Sequence, residues 1–126
     1  KTGCNQKTGR KFCQKRRICK TTGRAGRITQ STGAGKKASY AEKSDWLLSE
    51  AFCRYEDREI FKPYEKNHST VKEACETASL LQVKNLVLYH TEDKNMKERK
   101  SSYTKEGQAY YTGNIFVPED LERISL

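Results

Sequence analysis

The charges of this chain are segregated along the sequence, and this division limits where a folded core can form. Residues 1–40 hold twelve Lys or Arg and no Asp or Glu, whereas residues 41–126 hold the other thirteen of the 25 basic residues and all 16 acidic residues. The large aliphatic and aromatic residues of the first part are only Phe12, Ile18, Ile28 and Tyr40. Such a segment cannot bury enough apolar surface to offset the entropy lost on ordering. We therefore expect residues 1–40 to be poorly ordered and one modest domain to lie within residues 41–126.

The basic segment has three interpretations, which the sequence leaves open. In the first, it is a nucleic-acid-binding arm that attracts phosphates through clusters such as Lys15, Arg16 and Arg17. In the second, it is a solvated extension without a partner. In the third, it is not the natural upstream sequence, as when a shifted reading frame is joined to a genuine domain near Ser39 or Tyr40.

Targeting and redox signals in the sequence predict a cytoplasmic protein. The apolar run at residues 85–89 is far shorter than the roughly 20 residues that span a bilayer. Residues 1–20 carry basic side chains throughout instead of an apolar signal core. The 5 cysteines form no CxxC pair and no ligand pattern with histidine. We therefore expect no disulfide framework, and we expect Cys53 and Cys75 to be small buried apolar residues in a reducing compartment.

From residue 41 onwards the apolar pattern is typical of a βαβ unit. The run at residues 46–52 has the length and composition of a largely buried strand. Thr70 and Glu73 then form a capping box, and apolar residues at helical spacing follow as far as Leu81. The continuous apolar run at residues 85–89 predicts a second strand that is buried on both faces. These elements predict a parallel pair of strands with a right-handed crossover.

Weaker patterns extend this unit towards the end of the sequence. Residues 96–111 predict a second helix, with Gly113 just beyond it as the terminating residue. Residues 115–117 predict a third strand. The tail at residues 121–126 predicts a short edge strand. The predicted order of the main elements is therefore βαβαβ, and the predicted fold class is α/β.

Both histidines of the chain lie at positions where chemistry is common. His68 lies in the loop before the capped helix, and His90 follows the second strand, at the edge where open α/β sheets place their ligands. An imidazole there can bind a metal through one ring nitrogen, although a hydrogen-bonded structural or surface histidine fits the same positions. Glu50 lies within the first strand, where an unpaired carboxylate is costly. It must therefore be paired, protonated or turned towards a site.

Three ordered segments of the chain resemble one family. They are Asp-Trp-Leu-Leu-Ser-Glu-Ala-Phe at residues 45–52, His-Ser-Thr at residues 68–70 and Leu-Val-Leu-Tyr-His at residues 86–90. Together they are similar to the C-terminal half of ribonuclease Z-like proteins of the metallo-β-lactamase fold. The resemblance covers residues 40–126, and it implies a partial αββα sandwich of which this chain supplies the βαβαβ part.

The resemblance implies a role for each candidate residue in the hydrolysis of phosphodiester bonds, with RNA as the substrate. Glu50 would orient His68, His68 would serve as general acid near the scissile phosphate, and His90 would ligate one metal. The implied cofactors are two divalent metal ions in a complete enzyme. Zinc is the first candidate, with iron and manganese as alternatives.

The chain departs from the family pattern in its metal-binding residues. The His-x-His-x-Asp-His signature needs three histidines, but the chain has 2, and no acidic residue precedes Glu42. Ser49 replaces the first histidine of the family's His-Glu-Ala-Thr segment, and Phe52 replaces its threonine. We therefore expect the isolated chain to hold no dinuclear centre and to be inactive. A missing N-terminal half or a second subunit would have to complete the site.

Two other classes of function compete with a hydrolase. In one, residues 1–40 grip nucleic acid and the α/β part is a scaffold without chemistry. In the other, the chain is a truncated product that exposes a core face and aggregates. Neither interpretation includes a membrane partner.

Overall fold

A parallel sheet organises the residues that the computed structural model describes, which are 18–21 and 41–125. Its four strands are β1 (Ile18–Thr21), β2 (Trp46–Glu50), β3 (Asn85–Tyr89) and β4 (Asn114–Phe116), and they lie side by side in that order. Every neighbouring pair is parallel. Because parallel strands need crossover connections, the chain must return across the sheet before each new strand.

The connections that follow β2 and β3 are helical. The segment between β2 and β3 contains the single-turn helix α1 (Arg58–Phe61), the longer helix α2 (Val71–Leu80) and two 3₁₀ turns at Tyr55–Asp57 and Pro63–Lys66. The segment between β3 and β4 contains α3 (Met96–Gly107). The βαβαβ order of the main elements and the α/β fold class are therefore confirmed. No helix in the described part of the chain is long and apolar enough to cross a membrane.

The capping box predicted at the start of α2 is present. The backbone N–H of Thr70 donates to the Glu73 carboxylate at 2.9 Å, which satisfies one of the amides left open at a helix start. The residues that α2 buries are Val71, Ala74, Cys75, Thr77 and Ala78. The helix therefore packs by the face that its apolar spacing predicts.

One face of the sheet and α2 form the main hydrophobic core. Leu47 of β2 and Leu86 and Leu88 of β3 are fully buried, and they belong to the same cluster as the apolar face of α2 and Tyr103 of α3. Both helices therefore cover the same face of the sheet. The unbroken burial of residues 86–88 confirms that the centre of β3 is covered on both faces.

Shortening Leu86 to Ala is expected to destabilise the domain by about 2–5 kcal/mol, because the substitution leaves a cavity in a closely packed interior. Leu80, which is 55% exposed at the end of α2, provides the matched control. Leu80→Ala should change the free energy of unfolding by less than about 0.5 kcal/mol. Urea unfolding followed by circular dichroism measures both variants. Equal losses for the two would contradict this description of the core.

α3 ends at Gly107, four residues short of its predicted end. A Cβ added at Gly107 would lie 2.8 Å from the Ile115 side chain and 2.9 Å from the Cys75 sulfur, so the helix end lies directly against β4 and α2. The chain then turns, and the buried Tyr111 donates its hydroxyl hydrogen to the Val83 carbonyl at 2.8 Å. Tertiary contacts of this glycine and this tyrosine, rather than helical spacing, decide where the helix stops.

The segment after α3 also differs from its prediction. β4 covers residues 114–116 rather than 115–117, and the prediction of an edge strand is wrong for the described part of the tail. A turn lies there instead, in which the N–H of Glu119 donates to the Glu122 carboxylate at 2.9 Å. The Glu122 side chain satisfies a backbone amide of this turn.

β1 belongs to the basic N-terminal segment, for which the sequence predicts no strand. Its backbone pairs with β2, from Ile18 opposite Trp46 to Thr21 opposite Ser49. Pairing with a neighbouring strand, rather than an apolar pattern of its own, therefore specifies this element. The candidate nucleic-acid-binding residues, which all lie outside the described residues, are Lys15, Arg16 and Arg17. The interpretations of the rest of the segment stay predictions.

Cys53 and Cys75 are buried and free, as the sequence predicts. Burial raises the pKa of each thiol to about 12, so both are protonated at neutral pH and react slowly. Alkylation at about pH 8 should therefore leave both unmodified in the folded chain and modify both after unfolding in urea. Peptide mapping by mass spectrometry distinguishes them from the other cysteines. Rapid modification of either thiol in the folded chain would contradict this description.

Candidate functional site

Three segments of the chain bring an acid and two imidazoles together at the carboxyl edge of the sheet. Glu50 is the last residue of β2, and the strand register places it opposite Tyr89, the last residue of β3. His90 follows immediately, and His68 lies in the loop between the second 3₁₀ turn and α2. Because parallel strands end at the same edge, residues that are distant in sequence meet there.

A single carboxylate oxygen joins the two imidazoles. Oε1 of Glu50 lies within hydrogen-bond distance of Nδ1 of His68 and 2.7 Å from Nδ1 of His90. The two imidazole rings meet edge to face, with their centroids 4.7 Å apart. The Glu50 side chain is only 5% exposed, whereas the side chains of His68 and His90 are 23% and 51% exposed. The acid therefore lies at the base of the site, and the imidazoles lie between it and solvent.

Local backbone geometry holds His68 against Glu50. The N–H of His68 donates to the Pro63 carbonyl at 2.8 Å, and the preceding Asn67 has a left-handed φ of 60°. The Ser69 hydroxyl donates to the Glu50 carbonyl at 2.9 Å. The loop is therefore bonded on both sides of the imidazole, with one of these bonds going directly to the end of β2.

His90 adopts a left-handed backbone conformation, with a φ of 55°. Few residues other than Gly take this conformation, but histidine is among the more tolerant ones. It costs on the order of 1–3 kcal/mol and persists where surrounding contacts hold it, often at functional sites. The turn at the end of β3 places the His90 ring beside Glu50 instead of extending the strand.

The hydrogen bonds to Glu50 determine which ring nitrogens are available for chemistry. An ionised carboxylate only accepts hydrogen bonds, so Nδ1 of each imidazole must carry a proton and donate it to the bond. The neutral ring then presents Nε2 as the atom that can ligate a metal or exchange a proton. A carboxylate that holds the opposite nitrogen of a metal-ligating histidine is a recurrent arrangement in metal sites.

The three side chains fit a divalent metal ion. Within residues 18–21 and 41–125, Glu50, His68 and His90 are the group of potential ligands that converges, with their ligand atoms all within 4.8 Å of one another. Imidazole nitrogen and carboxylate oxygen are donors that suit zinc, iron and manganese. In the bonded arrangement the donors that remain available to an ion are the Nε2 atoms of the two imidazoles, because Glu50 already holds both Nδ1 atoms. A dinuclear centre needs further ligands from outside this group.

Phe52 is a site residue that the sequence did not identify. Its ring stacks on His68 with centroids 4.8 Å apart and lies 5.8 Å from the ring of His90. In the sequence it was only a departure from the family segment. Its position two residues after Glu50 was the available signal, because this spacing places two side chains on one side of an extended chain.

The candidate residues of the α/β part all lie in one cluster. The contact expected between Glu50 and His68 is present. Glu50 also contacts His90. The roles of the three residues as orienting acid, general acid and metal ligand stay predictions.

The described residues form a parallel βαβαβ sheet with imidazole and carboxylate groups at its carboxyl edge, and by likeness to a solved structure they form part of a metallo-β-lactamase fold. The solved structure of the metallo-β-lactamase fold protein YhfI from Bacillus subtilis matches this chain with a TM-score of 0.53 and 20% sequence identity. The match covers 67% of this chain and 32% of that chain, so this chain spans about a third of that protein's length. At this identity the likeness shows the fold alone. No family model matches the sequence, and no curated protein matches it.

Proposed function

We propose that this chain is the C-terminal part of a metal-dependent hydrolase of the ribonuclease Z-like kind, which cleaves phosphodiester bonds in RNA. The carrying observation is that one buried oxygen of Glu50 bonds both His68 and His90 at the carboxyl edge of a metallo-β-lactamase-type sheet. Burying an acid is costly unless it is paired, and both imidazoles pair with Glu50 here.

His90 is the proposed metal ligand. Its Nδ1 faces Glu50 and its side chain is 51% exposed, so Nε2 can reach an ion at the mouth of the site. When bound, divalent ions supply a water nucleophile that ionises near neutral pH and stabilise the negative charge of the transition state. Zinc is the first candidate, with iron and manganese as alternatives.

His68 is the proposed general acid. Glu50 holds its Nδ1, so Nε2 is the atom that gives a proton to the leaving oxygen of the cleaved phosphodiester. The carboxylate fixes the direction of this ring and balances the positive charge that the ring carries when it is protonated. The lower exposure of His68, 23% against 51% for His90, keeps bulk water away from the proton donor.

The proposed site needs residues from outside the described part of the chain. A dinuclear centre of this fold uses a His-x-His-x-Asp-His segment, which a chain with 2 histidines cannot supply. A missing N-terminal half or a second subunit is the proposed source, and the isolated chain is expected to be inactive. The match to about a third of YhfI supports a domain of which this chain supplies one part.

Metal analysis and activity assays test the proposal together. The purified 126-residue chain should hold fewer than two tightly bound ions and should not hydrolyse bis(p-nitrophenyl) phosphate or single-stranded RNA. Mixing it with a polypeptide that carries the His-x-His-x-Asp-His part of the fold should restore metal-dependent hydrolysis. Two tightly bound ions per isolated chain would refute the proposal. A mixture that holds both metal ions but does not hydrolyse either substrate would also refute the proposal.

A nucleic-acid-binding module is the alternative, and the acid-free basic segment at residues 1–40 favours it. Binding through phosphate contacts falls steeply with salt concentration and needs no metal. Replacing Lys15, Arg16 and Arg17 with Gln should then weaken RNA binding and reduce its salt dependence, as measured by fluorescence anisotropy. Metal-independent binding that these substitutions weaken, together with inactivity in every mixture, would favour the module over the hydrolase.

A further inference from the structure

The Phe52 ring contacts both imidazoles of the site. It stacks on His68 at a centroid distance of 4.8 Å and an interplanar angle of 26°, and it lies tilted against His90 at 5.8 Å and 59°. His68 and His90 in turn meet each other edge to face. The three rings therefore form one cluster over the Glu50 carboxylate.

The backbone of Phe52 is bonded to the two segments that carry these imidazoles. Its N–H donates to the carbonyl of Ser69, the residue after His68, at 2.8 Å. Its carbonyl accepts a hydrogen bond from the N–H of Glu92, two residues after His90, at 2.8 Å. These main-chain bonds do not depend on the side chain at position 52, so a substitution there can leave them in place.

α3 adds a third bond to the same residue. The Tyr103 hydroxyl donates to the Phe52 carbonyl at 2.9 Å, and Tyr103 is 2% exposed within the hydrophobic core. Burial raises the pKa of this hydroxyl, so it stays a donor throughout the ordinary pH range. These bonds therefore hold the backbone from which the Phe52 ring extends towards the two imidazoles.

The Phe52 ring can determine the plane of an imidazole, which the hydrogen bonds to Glu50 leave undetermined. A bond at Nδ1 fixes one atom of an imidazole, but the ring can still tilt about that contact and move Nε2 away. Stacking against a fixed aromatic face determines the plane of the ring as well. Phe52 occupies the position of the threonine in the His-Glu-Ala-Thr segment of the ribonuclease Z-like family, and threonine has no ring that could do this.

We infer that Phe52 is a positioning residue that sets the plane of His68 by stacking and limits the tilt of His90 by its contact with that ring, so that both Nε2 atoms face the same reaction space. The purpose of this positioning rests on the proposed hydrolase function, whereas the positioning itself is a property of this chain alone. In this role Phe52 acts through its contacts with the two imidazoles.

Nuclear magnetic resonance of the 126-residue chain tests the positioning directly, because 2 histidines give only 2 sets of imidazole C–H signals. In the wild type we expect nuclear Overhauser contacts between the rings of Phe52 and His68 and a ring-current displacement of the His68 signals. Phe52→Leu, which keeps an apolar side chain without a ring, should move these signals towards those of a histidine in a peptide. Phe52→Tyr should restore them.

Phe116→Leu is the matched control. Phe116 is half-buried like Phe52 and packs on Trp46 with centroids 5.3 Å apart, so its loss removes a comparable aromatic contact from the same sheet. Its imidazole signals should match those of the wild type. Equal displacement in Phe52→Leu and Phe116→Leu would overturn the inference. If Phe52→Leu does not fold, the wild-type and Phe52→Tyr spectra test it, because absence of the contact between Phe52 and His68 overturns it equally.

The completed protein, meaning this chain mixed with a polypeptide that supplies the missing part of the fold, distinguishes a failure of this inference from a failure of the proposed function. Where a mixture restores hydrolysis, Phe52→Leu should lower kcat by about 10–100-fold with little change in KM, as loss of other orienting partners does. Phe52→Tyr should recover most of this loss. The expected spectra without hydrolysis in any mixture would contradict the proposed function and leave the positioning intact. Restored hydrolysis that Phe52→Leu leaves unchanged would overturn the positioning.

Discussion

Replacing His90 with Ala is expected to reduce the metal-dependent hydrolysis of the completed protein by more than about 100-fold. Loss of a partner that only orients a metal ligand costs about 10–100-fold in metal affinity or activity, and loss of the ligand itself should exceed this. The variant should also hold less metal, because the imidazole held 2.7 Å from Glu50 is the proposed ligand. Metal content by mass spectrometry and initial rates of hydrolysis measure the two effects.

His68→Ala is the comparison that assigns different roles to the two imidazoles. Because His68 is the proposed proton donor, this variant should lose kcat but keep the metal content of the wild type. Lys97→Ala, at an exposed position on α3, should change neither quantity. Loss of metal with His68→Ala instead of His90→Ala would exchange the two roles. Full activity of His90→Ala would remove the basis of the hydrolase proposal.

The central elements of the fold could be predicted because their signals are local. The apolar run of β3 is continuous, and the bounds of this strand, Asn85–Tyr89, agree with the prediction. α2 combines a capping box at Thr70 and Glu73 with apolar residues at helical spacing, and each of these signals lies within a few residues of the element that it specifies. Such signals are read from a short window of sequence, whatever the rest of the chain does.

Elements that depend on distant contacts were predicted less well. α3 ends at Gly107, which packs closely against Ile115 of β4 and against Cys75 of α2, a residue far earlier in the sequence. β1 forms by backbone pairing with β2, although its segment has almost no apolar pattern. β1 has no local signal, because it results from the arrangement of neighbours in space.

The candidate site shows the same division. Glu50, His68 and His90 could be proposed from their places at strand ends and loops and from a resemblance to known segments. The contact between the Glu50 carboxylate and His90 follows from the register that places Glu50 opposite Tyr89. A single sequence does not reveal this register. The backbone position of Phe52 depends in addition on hydrogen bonds to two separate loops.

Glu50→Gln is expected to lower the hydrolysis of the completed protein by about 10–100-fold while leaving the free energy of unfolding unchanged or raised. Glutamine keeps the shape of Glu50 and an oxygen that can accept from Nδ1 of both imidazoles, but it lacks the charge that balances a protonated His68. Removing this charge relieves a desolvation cost, since Glu50 is 4% exposed. Activity and stability should therefore respond differently, as they do at residues retained for function.

Urea unfolding and kcat, measured on the same preparation of Glu50→Gln, check this divergence. If Glu50 were a structural ion-pair partner, removal of its charge would destabilise the domain by about 3–5 kcal/mol, and activity would fall only because the fold is lost. Glu106→Gln is the matched control, because this partly buried carboxylate on α3 accepts the Tyr55 N–H at 2.8 Å. Burial raises the pKa of Glu106, so a neutral amide should be tolerated there. The control should keep full activity, and a decline equal to that of Glu50→Gln would show that hydrolysis depends on buried acids in general rather than on this one.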